Sequence, residues 1–485
     1  MKKFAQCLTL VLAAVFLLAS CGDTPSQGEE TLSQDTSPAV TDAPETTTAE
    51  TDYYMNVPEG TTFGGKTFTF LGYNYNGNWK VYMDPESETG DIVNDSAYRR
   101  NGEVEEKLQI DFREIQIDGM AEHEKAFKTS VLAGDGAYDL MCFWASGERS
   151  SFITEGIAGD WQALGNMDLT SPWYNQTANT AYSIGGKQYF AVSDFTFPVQ
   201  QHWRLLFNKK LMSDYKLEYP YQDVYAGTWT YDKLRSLITN TYKDVNADGK
   251  AGLEDSYGLS ANNVTLGVMA FNSGEMPIHI TKNGFELNLY SDRILNIVED
   301  MVALTKNPNV YDVNVGGANF RNLFSEGRAM FITYSSDPEL LRDIEFDYGY
   351  LPYPKYDAAQ ENYIVWSCGG MMAYPSNAKD TVFTGTVMEA LSAGSAKYVK
   401  DAFVEKYIEG KVLRDTDSVT IYRMMRDLAT YDFSYNFDPS GKLTGFAHYS
   451  QFNKSQSADL ASWWGKNQVA IQSAFDDLFA KCMKK

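Results

Sequence analysis

The sequence predicts an α/β chain built as two domains. Three observations carry this: a strand, helix, strand, helix, strand order between residues 66 and 144, a second alternation of that kind from Trp203 onward, and a globular region of roughly 425 residues. That last length exceeds what a single hydrophobic core sustains.

The first strand is residues 66–71 (KTFTFL), which alternates aromatics with polar residues. Residues 95–107 are charged with sparse apolar positions and read as a surface helix, and residues 108–115 (LQIDFREI) alternate again as a strand. Residues 120–132 form a second helix, stopped by the turn Gly134-Asp135-Gly136. Residues 138–144 (YDLMCFW) are an unbroken apolar run, the pattern of a parallel strand covered on both faces. The second alternation starts with residues 203–208 (WRLLFN) as a strand, then a short helix over 209–215 and a clearer one over 230–240, for which Thr228 is the expected N-cap. A long amphipathic helix over 287–306 and a shorter one over 318–326 precede a strand at 328–334 (RAMFITY). Strands at 346–352 and 364–374 follow, and the chain from Asp380 onward is helical in several pieces.

The N-terminal residues have another character. Lys2 and Lys3 precede an apolar run over 8–18, too short to span a bilayer as a helix, which needs roughly 20 residues. Leu18-Ala19-Ser20-Cys21 then resembles a bacterial lipobox, which implies lipidation at Cys21 after loss of residues 1–20. From Gly22 to Thr51 the chain is Thr, Ser, Pro, Glu and Asp with almost nothing large and apolar, the composition of a disordered tether. The expected tether is 21–60, with the folded body starting near Thr61. Two acyl chains on Cys21 make a stable anchor to a membrane where one is marginal.

The net charge of −23 argues against nucleic acid as a partner. Cys142, Cys368 and Cys482 remain once the signal cysteine Cys7 and the lipidated Cys21 are set aside, an odd number with no close pair, so no disulfide framework is expected. The four histidines (His123, His202, His279, His448) have no zinc-site spacing. Phosphate-binding loop, dinucleotide fingerprint and nucleophile elbow are all lacking. No enzymatic activity is expected.

Several short segments, weak singly, occur in a telling order. They are Tyr138-Asp139-Leu140, Phe207-Asn208-Lys209-Lys210-Leu211, residues 227–234 (GTWTYDKL), residues 324–331 (FSEGRAMF) and residues 349–354 (GYLPYP), all downstream of the lipobox. Together they resemble the extracellular solute-binding proteins of ABC importers, the family that includes maltose-type sugar binders. The resemblance extends over most of residues 61–485. It implies a two-lobe periplasmic-binding-protein-like fold with hinge strands and a ligand cleft between the lobes, a carbohydrate ligand, an importer permease as partner, and a place on the extracellular face of the membrane. One lobe is expected from 61–196 with 355–400 and the other from 197–354 with 401–485, the chain crossing near 192–204, near 351–354 and again toward the C-terminal helices.

A sugar presents C–H faces ringed by hydroxyls, so its site needs aromatic platforms beside polar side chains. With 9 Trp, 32 Tyr and 27 Phe the chain has ample aromatics, and position selects among them. Ligands sit outside the carboxyl ends of strands in open α/β sheets. Tyr73, Asn74 and Tyr75 follow the first strand, and Trp144 ends the YDLMCFW run. Asp194 and Trp203 flank the first crossing, Phe271 and Asn272 are expected in a loop after the apolar 264–270 stretch, Tyr334 and Ser335 end RAMFITY, and Trp366 follows the second crossing. Adjacent Trp463 and Trp464 point about 100° apart on a helix, so only one of them could line a cleft. A peptide or another polar solute is the alternative ligand. A surface glycoside hydrolase and a glycan-display adhesin are the rival classes.

Separately, Asp244, Asn246 and Asp248, then Gly249, the Lys250 carbonyl and Asp255 match the spacing of an EF-hand-type calcium loop. Asp in place of Glu at the twelfth position shortens the closing ligand by a methylene. A structural Ca²⁺ is the implied occupant, stapling one domain.

Overall fold

The computed structural model describes residues 52–74, 81–144, 149–311, 319–334, 341, 344–443 and 447–484. Its first sheet contains β1 (Lys66–Asn74), β2 (Ile110–Asp118), β3 (Leu140–Trp144) and β12 (Gly370–Ala373), in the order β12-β3-β1-β2. β1 runs parallel to β2 and β3, and β12 antiparallel to β3. The carboxyl ends of β1, β2 and β3 therefore lie along one sheet edge, beside the start of β12 at Gly370.

β3 shows why its sequence lacks alternation. Leu140 and Cys142 pack with Phe68, Phe70, Val104 and Val387, while Met141 and Phe143 pack with Leu71, Phe127 and Phe152. Both faces are covered, by the helices Ile92–Leu108 and Thr381–Ser395 on one side and Met120–Ala133 on the other. The helix Ile92–Leu108 starts where the Asp91 carboxylate accepts from the N–H groups of Val93 and Asn94, one turn earlier than its charged stretch suggested. Met120–Ala133 ends at Gly134, whose φ of 69° completes the stop expected there.

The second sheet is β10 (Tyr348–Pro352), β5 (Arg204–Asn208), β9 (Ala329–Tyr334) and β6 (Tyr257–Ser260), in that order. Trp229 is buried against it and donates Nε1–H to the Pro352 carbonyl at 2.9 Å. A hairpin of β7 (Ile278–Thr281) and β8 (Gly284–Leu287) lies apart.

A third sheet of short strands, β13 (Ala429–Tyr431), β11 (Val365–Cys368) and β4 (Gln201–His202), joins the two. β4 leads straight into β5 of the second sheet, and β11 straight into β12 of the first. At the second junction a Cβ on Gly369 would stand 2.8 Å from the Gln200 Cα, so only glycine allows the two chain crossings to touch there.

Some expectations shift. The second crossing occupies Val365–Cys368, because Pro352 still belongs to the second sheet. The 364–374 run splits into two strands at Gly369. Thr230, not Thr228, caps the next helix, its Oγ1 accepting from Lys233 N–H, and that helix spans Tyr231–Ile238. Residues 284–287 form a strand, so the amphipathic helix begins at Asp292 behind a Ser291 cap. Packing also begins before Thr61. Val57 is buried among Phe68, Phe70 and Leu108, and Asn56 donates to Glu389 and Ser171. Cys142, Cys368 and Cys482 are buried and unbridged. No helix among the described residues is long and apolar enough to cross a membrane.

Candidate functional site

Alternation along the joining sheet sorts its side chains onto two faces. Ser367 is registered with His202 and Tyr431, while Cys368 pairs with Gln201 and Trp366 with Thr430. His202, Ser367 and Tyr431 thus share one face. Gln201, Trp366 and Cys368 share the other, joined by Trp203, whose backbone N–H bonds the Trp366 carbonyl at 3.0 Å.

The second face is aromatic. The Trp203 and Trp366 rings meet edge to face at 5.4 Å, and Tyr435 stands 4.7 Å from Trp366 at 89°. Asn272 accepts the Trp366 backbone N–H through Oδ1 at 2.9 Å. The next residue after Tyr435, Asn436, takes the Arg149 backbone N–H on its carbonyl at 2.7 Å. Arg149 lies five residues beyond Trp144, so this face adjoins the carboxyl end of β3, and Gly370 pairs with Trp144 itself. Arg149 is buried, bonded to Glu124 at 3.0 Å and set over the Phe143 ring.

The polar members of this cluster are unsatisfied. Gln201 Nε2, Asn272 Nδ2, and both Nδ2 and Oδ1 of Asn436 are buried with no hydrogen-bond partner among the described residues. Native proteins leave few such groups, and each costs about 1–3 kcal/mol. Four such atoms, on three residues, border this aromatic cluster.

The expected site residues divide accordingly. Trp203, Asn272 and Trp366 come together here, and Trp144 ends the neighbouring β3 opposite Gly370. Phe271 and Asn272 lie in the last turn of the helix Asn263–Asn272, not in a loop. Phe271 is fully buried against Trp366 and Tyr449, one layer behind. Tyr73 is half-buried beside His123, with ring centroids 5.6 Å apart. Asn74 ends β1 and Tyr334 ends β9, opposite Arg204. Tyr75, Ser335 and Cys21 lie outside the described residues. Asp194 is on the opposite side of the joining sheet, bonded to Lys400 at 3.0 Å. Trp463 packs on Phe452 and Trp464 stacks on Tyr290. Gln201, Tyr435 and Asn436 were not anticipated.

The EF-hand-type loop folds on its own hydrogen bonds. Asp244 Oδ2 accepts from Gly249 N–H, Asn246 Oδ1 from Asp248 N–H and Asp248 Oδ1 from Lys250 N–H, with Gly249 at φ 74°. Asp255 is buried and accepts from Val245 N–H, Gly252 N–H and Tyr242 O–H at 2.9–3.0 Å. Burial pushes its pKa up, but these donors outweigh burial and hold it below the usual carboxylate range. Asp244 Oδ1 is buried without a partner. No three His, Cys, Asp or Glu side chains among the described residues are grouped to hold a metal.

No model of a known family matches the chain, and no curated protein matches it by sequence. Solved structures do resemble it. A cyclo/maltodextrin-binding protein complexed with maltotetraose is 14% identical, with a TM-score of 0.57, over 87% of this chain and 97% of that one. The extracellular solute-binding protein from Staphylococcus aureus in complex with maltose is 12% identical at a TM-score of 0.57, over 87% and 98%. The GacH receptor of Streptomyces glaucescens, solved with acarbose, is 15% identical at 0.52, over 87% and 99%. The chain has the two-lobe α/β fold that these binding proteins share.

Proposed function

We propose that this two-lobe chain is the extracellular solute-binding component of an ABC importer and captures a carbohydrate between its lobes. The observation that carries the reading is the Trp203–Trp366–Tyr435 cluster with the orphaned amides of Gln201, Asn272 and Asn436. Tyr435 and Trp144 are the half-buried rings here, and their faces suit the C–H faces of a pyranose, with Trp203 and Trp366 buried as packing against Tyr435. Amides that both donate and accept suit its hydroxyls. The binding proteins of the same fold were solved with maltotetraose, maltose and acarbose. The two lobes correspond to the two four-stranded sheets, with β4, β11 and β13 as the hinge, and bending there brings the lobes onto the ligand. A lipid on Cys21 would hold the protein at the membrane beside its permease.

The test is isothermal titration of the chain with maltodextrins and other oligosaccharides. Binding with the sugar recovered intact is expected. Asn436→Ala should weaken it about tenfold to a hundredfold, as for one or two lost hydrogen bonds, with little change in melting temperature. Binding of peptides and of no sugar would replace the carbohydrate reading.

We also infer a structural calcium ion in the 244–255 loop. Support comes from the buried, unpartnered Asp244 Oδ1 and the oxygens of Asn246, Asp248 and the Lys250 carbonyl around the same turn. Asp255, already committed to backbone N–H groups, would close the loop from beneath. For a site of weak extracellular type, a few millimolar Ca²⁺ should stabilise the chain by about 1 kcal/mol, or roughly 1–2 °C, over a chelator control. Asp244→Asn should abolish the difference. An equal shift in that variant would place the calcium effect elsewhere.

A further inference from the structure

The face of the joining sheet turned away from the tryptophans borders a cavity of about 150 Å³. Its walls come from three parts of the chain: Asn175 and Asp194 from the segment before the first crossing, His202 and Tyr431 from the sheet itself, and Lys400 and Arg426 from the C-terminal helices. The volume is enough for several waters or one small solute.

Most of these walls are internally satisfied. Asn175 donates to the Tyr431 hydroxyl at 2.9 Å, His202 Nδ1 meets Ser367 Oγ at 2.9 Å, and Lys400 Nζ donates to Asp194 Oδ2 at 3.0 Å. Burial, with Arg204 and Arg426 nearby, lowers the His202 pKa to about 3, so the imidazole is neutral. Burial raises the Asp194 pKa to about 6 against the pull of Lys400 and Arg426, which leaves the carboxylate ionised at neutral pH.

Arg426 is the exception. Its guanidinium is half-buried and lies over the Phe197 ring at 5.3 Å, and it has no hydrogen-bond or ion-pair partner among the described residues. The adjacent Asp427 is exposed. Asp427 also lines the cavity, so its walls carry two cations, Lys400 and Arg426, and two carboxylates, Asp194 and Asp427. Lys400 answers Asp194 directly, whereas the exposed Asp427 makes no bond to Arg426, so the donors left open in the cavity are those of the guanidinium. A planar fork of donors stacked on an aromatic ring is pre-organised for a bidentate acceptor.

We propose that this cavity is a second binding site, for a small anion with a carboxylate or phosphate group, clasped by Arg426 and supported by Lys400. The anion would sit behind the joining sheet, on the side opposite the tryptophan cluster. The proposal stands whether or not that cluster takes a sugar.

The test is calorimetric titration of the full chain, in low-salt buffer without other small anions, with inorganic phosphate and separately with acetate. A saturable isotherm with at least one of them is expected, and the preferred probe tells phosphate from carboxylate chemistry. Arg426→Gln should weaken it at least tenfold and Lys400→Met severalfold. Arg426→Lys, which keeps the charge and loses the fork, should fall between wild type and Arg426→Gln, and it serves as the test if Arg426→Gln does not fold. Absence of saturable binding to either probe overturns the site. So does affinity within twofold of wild type in both Arg426 variants.

Discussion

Glu389→Ala is expected to lower the unfolding free energy by about 3–5 kcal/mol, read as a drop in the denaturant midpoint at unchanged slope. Glu389 sits inside the helix Thr381–Ser395 with 0% of its surface exposed. Its carboxylate accepts from Asn56 Nδ2 at 2.7 Å, Trp173 Nε1 at 3.1 Å, Tyr174 O–H at 2.8 Å and the Asp168 backbone N–H at 3.3 Å. Burial raises its pKa, and these same donors oppose the rise. Truncation strands four donors in a site that water does not reach, and each orphan costs about 1–3 kcal/mol before relaxation. Glu389→Gln keeps one acceptor oxygen and turns an NH₂ toward the remaining donors, so an intermediate loss is expected. The local signature is faster hydrogen exchange over residues 53–57. A loss under about 1 kcal/mol for the alanine variant would mean that water or neighbouring groups replace the carboxylate, and the network would then be incidental to stability.

The second large effect concerns Trp366. Alanine there should cost about 3–5 kcal/mol, the range for a fully buried tryptophan, and should also abolish sugar binding. Its ring contacts Trp203, Phe271 and Tyr435 at 5.4, 5.9 and 4.7 Å, two of them edge to face. Because Trp366 sits in β11, a cavity at this position loosens the strand that joins the two sheets. Trp366→Phe should restore most of the stability and only part of the affinity. That split separates the two roles, since a ring needed for packing alone would bring both back together.

The two large sheets were legible in the sequence because their strands are long enough to show a pattern: the KTFTFL alternation, the unbroken YDLMCFW run and RAMFITY all became strands within a few residues of the expected ends. The joining sheet was not. β4 has two residues and β13 three, too few for any period to register, and each exists only through pairing with β11 far along the chain. The site was hidden for the same reason. Trp144 was selected for ending a strand, and Trp203 and Trp366 for lying beside expected crossings. Gln201 gives no chemical signal of its own, and Asn436 lies in residues 433–437 (FSYNF), a stretch read only as part of a helical region. Asp194 was selected for lying at a crossing, which fixes neighbourhood and leaves the face undetermined. A one-residue step along an extended chain reverses the direction of a side chain, and that reversal decides between the two faces.

The early packing of residues 52–57 bears on how the molecule carries load. Val57 is embedded in the core of the first sheet and Asn56 is tied to Glu389 and Ser171. Any tension arriving along the chain from before residue 52 is therefore taken up at the helix Thr381–Ser395 and the first sheet, upstream of β4, β11 and β13. The joining strands lie off that line of force, so the bending proposed for them would not be opposed by a pull on the first sheet.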